Sequence, residues 1–228
     1  MSRVRLLALL DERAVDDIGQ SLGLDRGQTL TAIQGLMPAL AGAMATNAAK
    51  PGGLESLMTD GPGPIARFMA DDHRRLESLL DRAAAGGRIE PALYEEFRAG
   101  LLRHIGLEEK ILLPAVSRAR GGLPLPLARQ LRLDHGAIAA MLVPAPTPIG
   151  IERLRALLAL HDALEEGSAG VYADCDQLLA AEAASLIRQL RDYPAVRTAK
   201  HHEGPVVERH IAQALALAGR EQILPGPG

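Results

Sequence analysis

"LLRHIGLEEKILLP", residues 101–114, reads as a strongly apolar helix that nevertheless carries His104 and Glu108 four residues apart. Residues at that spacing share one face of an α-helix, displaced by about 6 Å along its axis. Leu101, His104, Ile105, Glu108, Ile111 and Leu112 therefore form one continuous stripe. A stripe of this kind faces a core. Two groups that prefer water lie in it, and a buried carboxylate without a partner costs several kcal/mol.

The pattern occurs twice. "HIGLEE" (104–109) and "HDALEE" (161–166) are both His-x-x-Leu-Glu-Glu. Each is preceded, one helix earlier, by an Asp-His pair: Asp72–His73 in "DDHRRL" and Asp134–His135 in "LRLDHGAI". The order over four successive expected helices suggests a duplicated helical hairpin. His73 lies between Met69, Leu76 and Leu80, and His135 between Leu131, Ile138 and Leu142. On the fourth helix Leu154, Leu157, Leu158, His161, Leu164 and Glu165 repeat the stripe of the second.

His73, His104, Glu108, His135, His161 and Glu165 are thus expected to converge on one axis. Helical backbone groups are already paired and cannot satisfy them all. A bound cation would, and imidazole with carboxylate suits first-row metals such as iron, zinc or manganese. Six donors exceed the four of a tetrahedral zinc site. Two ions bridged by the pair of glutamates divide them evenly and leave coordination positions open, which favours iron.

From about Pro64 to Asp176 the chain resembles the hemerythrin-like family, also called the HHE cation-binding domain. The resemblance rests on a His in the first helix, His-x-x-x-Glu in the second, a His in the third, His-x-x-x-Glu in the fourth, and the phrase "EEKILLP". It implies an all-α, up-down-up-down four-helix bundle holding two non-haem iron ions. The six residues above would be the ligands, with the glutamates and an oxo, hydroxo or water bridge between the irons. Ala139 stands where oxygen carriers of the family have a further histidine, so the chain is similar to the four-His, two-Glu branch. Gly167 and Gly170 replace the family's usual continuation after the second motif, so the fourth helix is expected to end there. The function implied is binding of O2 or a related small ligand such as NO, for sensing, storage or scavenging. The alternatives are iron handling with iron–sulfur cluster repair, a peroxide-type redox enzyme, or an iron-responsive interaction module.

Around this set Asp72 and Asp134 are expected to orient, cap or solvate rather than bind metal, and to tune an imidazole if their carboxylates reach its N–H. Glu77, four residues after His73, is expected in solvent. His201, His202 and His210 could offer a further nitrogen, although surface positions fit them better. Glu109 and Glu166, next to the ligands, are expected to point away from the axis. Tyr94, Phe97 and Tyr172 receive no task, and Cys175 reads as an inert buried thiol.

The rest of the 228-residue chain bounds the class. Leu and Ala abundance without β-branched runs suits helices. A net charge of −3 and no basic stripe argue against a nucleic-acid surface. The single cysteine excludes an internal disulfide framework. The apolar run in "MSRVRLLALLDERAV" is short and followed at once by Asp11 and Glu12, unlike a signal peptide. A cytoplasmic protein without membrane contact is expected.

Three segments suggest themselves. Residues 1–60 hold short helices over 5–23 and 24–49, before the Gly/Pro-rich "TDGPGP" (59–64). The stretch "SLGLDRGQTLTAIQGLMPALAGAMATNAA" resembles the YidB-like family of uncharacterised helical proteins. Residues 61–192 form the hemerythrin-like bundle, with breaks at 83–91, 118–126 and 143–150. Residues 193–228 add a last helix and a tail. These terminal extensions are where a protein partner would couple.

Overall fold

Proline sets the helix starts. It occupies the first turn of α1 (Pro64–Ala83), α2 (Pro91–Leu107), α3 (Leu113–Ala119), α5 (Pro148–Glu166) and α8 (Pro205–Ala218). Its fixed φ and missing N–H cost nothing at the starts of α1, α2, α5 and α8, because first-turn N–H groups have no intrahelical acceptor; α3 continues an existing helix, and Pro114 acts differently there. The remaining helices are α4 (Ala128–Met141), α6 (Val171–Leu178) and α7 (Ala183–Asp192). Helix ends fall at the Gly/Pro breaks read from the sequence, except that α6 and α7 are separated at 179–182 by a stretch with neither Gly nor Pro. The computed structural model describes residues 25–31, 61–167 and 170–224, and among them there is no strand. No helix of the described residues is long and apolar enough to cross a membrane.

The chain divides into two units, Met1–Met58 and Thr59–Gly228. In the first, a helical turn at 26–31 is described, opened by a reciprocal cap. Asp25 Oδ1 accepts from the Gln28 N–H (2.8 Å) and Gln28 Oε1 accepts from the Asp25 N–H (3.0 Å). The rest of the helices expected over 5–23 and 24–49 lies outside the described residues.

In the second unit α1 packs on α2 and α4 on α5, the two hairpins read from the repeat. α6 lies against both α1 and α5, and α8 covers α4. Between α2 and α3 the helix does not break but widens into a π-turn, Glu108–Leu112. Here the Leu113 N–H reaches back five residues to the Glu108 carbonyl. Pro114 explains this: it has no N–H for the Lys110 carbonyl, and its ring would collide with that oxygen in an α-helix.

The apolar core is in two parts. One gathers Ile65, Met69, Leu107, Leu112, Val116 and Leu131 with Val171, Tyr172 and Leu190. The other gathers Leu76, Leu80, Phe97, Leu101, Ile138 and Leu157 with Ile211 and Leu215. On α1, α2 and α4 the member histidine sits where the helix passes from one part to the other. Each buried Leu or Ile contributes about 1.5–3 kcal/mol, so the two parts hold a polar layer between them.

Two charged contacts fasten the later helices. Asp176 on α6 accepts from the N–H groups of Ile65 (2.8 Å) and Ala66 (3.0 Å), capping α1 from another helix. A side chain at Gly63 would collide with that carboxylate. Behind α8, Arg220 donates to both oxygens of the fully buried Asp134, at 3.1 and 3.0 Å. The Gln130 amide donates to Asp134 (3.0 Å) and to the Ala218 carbonyl (2.9 Å). Removing one partner of a buried ion pair strands the other. Arg220→Ala should therefore lower stability by about 3 kcal/mol, read as a lower urea midpoint with unchanged slope, while Arg220→Lys recovers part of the loss.

Candidate metal centre

His73, His104, His135 and His161 come from α1, α2, α4 and α5 and lie in one layer. His104, His135 and His161 are buried, and His73 is nearly so. His73 and His104 bring their Nε2 atoms to 2.8 Å from one another, and the rings of His135 and His161 stand edge to face at 4.9 Å. Glu108 and Glu165, 1% and 0% exposed, enter between the two pairs.

The glutamates divide their oxygens between the pairs. Glu108 Oε1 lies 3.8 Å from His104 Nε2 and its Oε2 3.0 Å from His135 Nε2. Glu165 Oε2 lies 3.4 Å from His73 Nε2 and its Oε1 3.1 Å from His161 Nε2. Donor atoms of Glu108, His135, His161 and Glu165 all fall within 4.8 Å of one another, as do those of His73, His104 and Glu165. All six residues expected as ligands are brought together, and Glu165 serves both groups.

Each imidazole turns its other nitrogen to a carboxylate. His73 Nδ1 donates to Glu166 (2.5 Å), His104 Nδ1 to Asp72 (3.0 Å) and His135 Nδ1 to Glu109 (2.8 Å). His161 Nδ1 faces Asp134 Oδ2 at 3.7 Å, too far for a hydrogen bond. An ionised carboxylate only accepts, so the Nδ1 atoms carry the protons and the Nε2 lone pairs point inward. The chain links helix to helix in a ring: Asp72 on α1 to α2, Glu109 to α4, Asp134 on α4 to α5, and Glu166 on α5 back to α1.

Two expectations need correcting here. Glu109 and Glu166 do not point away from the axis; they hold His135 and His73. On the second helix both glutamates stand at the start of the π-turn. On α5 the helix ends at Glu166, as the glycines implied, and Glu165 is buried nonetheless. The repetition of both glutamates in His-x-x-Leu-Glu-Glu was the signal for this role. Asp72 holds His104, while Asp134 faces His161 without a hydrogen bond.

Glu77 is exposed and joins neither group. His201 pairs with Glu95 (2.6 Å) and the Val143 carbonyl (3.2 Å), while His202 and His210 are exposed. None of these three supplies a donor to the centre.

Tyr172, one residue into α6, was missed altogether. It is fully buried, and its hydroxyl donates to Glu108 Oε1 (2.6 Å) and lies 2.9 Å from Glu165 Oε2. No spacing announces it, because the chain reverses between α5 and α6. That reversal needs Gly170, where a Cβ would fall 2.5 Å from the Glu165 carbonyl oxygen. Cys175, a turn further on, is buried, and burial pushes its thiol up.

The family described as "Bacterial protein of unknown function (DUF937)" matches residues 5–93. Of the six converging residues only His73 falls within that span. No curated protein and no solved structure matches the chain.

Unpaired atoms test whether a cation fits. Glu108 Oε2, His135 Nε2, His161 Nδ1 and Glu165 Oε1 are buried without a hydrogen-bond partner among the described residues. Each such atom costs about 1–3 kcal/mol. Three of them belong to the four-donor group, and their lone pairs face a common point. A cation there satisfies them together, and a set of imidazoles and carboxylates with no thiolate suits a first-row divalent ion.

A cavity of about 600 Å³ reaches His73, His104 and His161. Leu76, Leu80, Phe97, Leu101 and Leu158 wall it, and exposed Arg74 and Glu77 place its mouth at the surface.

Without a cation, protons must take its place. Burial alone would lower the pKa of His135 and His161, but the neighbouring carboxylates of Glu108 and Glu109, and of Asp134 and Glu165, raise them to about 9 and about 10. Burial is outweighed in the same way at His104, which Glu108, Asp72 and Glu165 raise. A raised pKa keeps the proton on at neutral pH, and ligation removes it. Divalent metal added to stripped protein should therefore release protons into weakly buffered solution, and its apparent affinity should rise from mildly acidic to mildly alkaline pH. Glu109→Ala and Glu166→Ala should each weaken metal binding about 10–100-fold in competition with a chelator, by freeing an imidazole.

Proposed function

We propose that this chain is a hemerythrin-like, non-haem di-iron protein built on an up-down-up-down four-helix bundle. Its work is to bind O2 or a related small ligand such as NO, for sensing, storage or scavenging. One observation carries the reading: each of two buried glutamates aims one oxygen at one histidine pair and the other oxygen at the second pair. That is the arrangement two adjacent ions bridged by carboxylates require, whereas a single ion would gather the donors around one point.

The α1/α2 and α4/α5 hairpins supply the bundle, and the His layer divides its core. When bound, a pair of ferrous ions would supply two electrons to a small ligand. The protein's own contribution is positional. The outer carboxylates fix three of the four imidazoles with lone pairs inward, the two apolar cores exclude water above and below, and the cavity gives a diatomic molecule a path to the centre. The carboxylates also balance charge in a site where an unpaired cation would be costly. The reading places the protein in the cytoplasm.

The link from α8 to the site favours a regulatory role alongside ligand binding. Arg220 holds Asp134, and Asp134 faces His161, so a change at the centre is felt by the C-terminal helix.

Protein expressed in iron-replete cells should carry about two irons per chain. Glu108→Ala and Glu165→Ala should each lose most of the iron, and Glu77→Ala should keep it. Anaerobic ferrous protein should change its near-ultraviolet and visible spectrum on contact with oxygen. Wild-type iron content in Glu165→Ala, or one ion per chain in the unaltered protein, would defeat the bridged arrangement.

A further inference from the structure

We propose that the Tyr172 phenol oxygen is itself a donor atom of the centre, completing the His73/His104 side as a phenolate. This rests on the metal-centre reading above. The two donor groups are unequal: one holds Glu108, His135, His161 and Glu165, the other only His73, His104 and Glu165. The vacant corner of the smaller group is where the hydroxyl lies. Its oxygen is 3.3 Å from His104 Nε2, 3.4 Å from His73 Nε2, 2.9 Å from Glu165 Oε2 and 2.6 Å from Glu108 Oε1.

Hydrogen bonding does not account for that position. A phenol has one proton and donates it once, and Glu108 is its nearest acceptor. With the imidazoles neutral and Glu165 ionised, the state that binds a metal, Glu165 Oε2 and the two Nε2 atoms then meet the phenol oxygen lone pair to lone pair. Neighbouring ligand atoms on one ion behave differently. With bonds of about 2.1 Å at octahedral to tetrahedral angles, they sit about 3.0–3.4 Å apart. Three of the four separations fall in or within a tenth of an ångström of that window, and the shortest is the bond that now holds the proton. On ligation the O–H bond breaks, the oxygen keeps the electron pair, and the proton leaves to solvent.

The backbone holds the ring there. Gly170 permits the close reversal after α5, and Asp176, four residues beyond Tyr172, pins α6 to the start of α1. The side chain is fully buried and has no solvent alternative. A phenolate is a hard, anionic donor, so it favours the ferric over the ferrous ion on its side. It also closes that side of the centre, leaving approach from the cavity that His73, His104 and His161 line.

The test uses the full chain, loaded aerobically with iron, beside Tyr172→Phe and Tyr94→Phe. The unaltered protein and Tyr94→Phe should show a visible phenolate-to-iron(III) charge-transfer band, with resonance-enhanced phenolate ring modes under visible excitation. Tyr172→Phe should lose both while keeping its second, four-donor ion. If that variant does not fold, the ring modes of the unaltered protein decide alone. Bound iron without phenolate modes, or a Tyr172→Phe spectrum identical to the unaltered one, would overturn the inference and leave the di-iron reading standing. Absence of iron from the unaltered protein would overturn both.

Discussion

Too few protons for too many lone pairs is the condition on which this structure turns. Four imidazole nitrogens, four glutamate oxygens and a phenol oxygen face one another inside a layer sealed by aliphatic side chains. Carboxylates on the outside hold three of the four Nδ1 protons, so the inward nitrogens are committed as acceptors. Such a layer persists only if something positive enters it. In the metal-free chain, protons on His104, His135 and His161 serve; in the proposed holoprotein, ions do. Folding and metal binding are thereby drawn from the same charge balance, and the apolar cores on either side make the balance strict by excluding water.

Much of this was legible in the sequence, because helical spacing converts position into direction. Four histidines and two glutamates at core-facing positions, in a repeated order, were sufficient to bring six side chains to one layer. What was not legible depended on departures from the ideal helix. Glu109 should leave the axis in a regular α-helix, one hundred degrees from Glu108. Glu109 nonetheless lies 2.8 Å from His135 Nδ1, at the start of the π-turn that precedes Pro114. At the second motif the same outcome is reached differently: α5 simply ends, and Glu166 reaches His73 from a helix terminus. Tyr172 lay beyond any periodic argument, since its place is decided by a glycine reversal and a capping aspartate.

The second ring around the site has its own logic. Arg75 donates to Asp72 at 2.8 Å, Arg132 to Glu109 at 3.2 Å and Arg220 to Asp134 at 3.0 Å. Those arginines come from α1, α4 and the end of α8, so three helices are keyed to the carboxylates that hold the imidazoles. Asp72 and Asp134 are kept ionised for this purpose: burial would raise both, but His104 with Arg75, and His161 with Arg220, bring them to about 2. Moderate acidification therefore leaves the carboxylates of Asp72 and Asp134 ionised beside their histidines.

Because arginines answer the outer carboxylates, they leave the inner charges to be matched from within. Glu108 and Glu165 contribute two negative charges; a pair of divalent ions brings four positive ones. The surplus must be met in a nearly water-free layer, where uncompensated charge is costly. A phenolate at Tyr172 would remove part of it, and the remainder would draw an anionic or readily reduced small ligand through the cavity. In the proposed holoprotein, electrostatics and access would act together: the walls of Leu76, Leu80, Phe97 and Leu101 would suit a small uncharged molecule, and the residual charge would favour one that is readily reduced. On that proposal, an aliphatic passage ending on an under-neutralised pair of cations would favour O2 and NO over ions that arrive already hydrated.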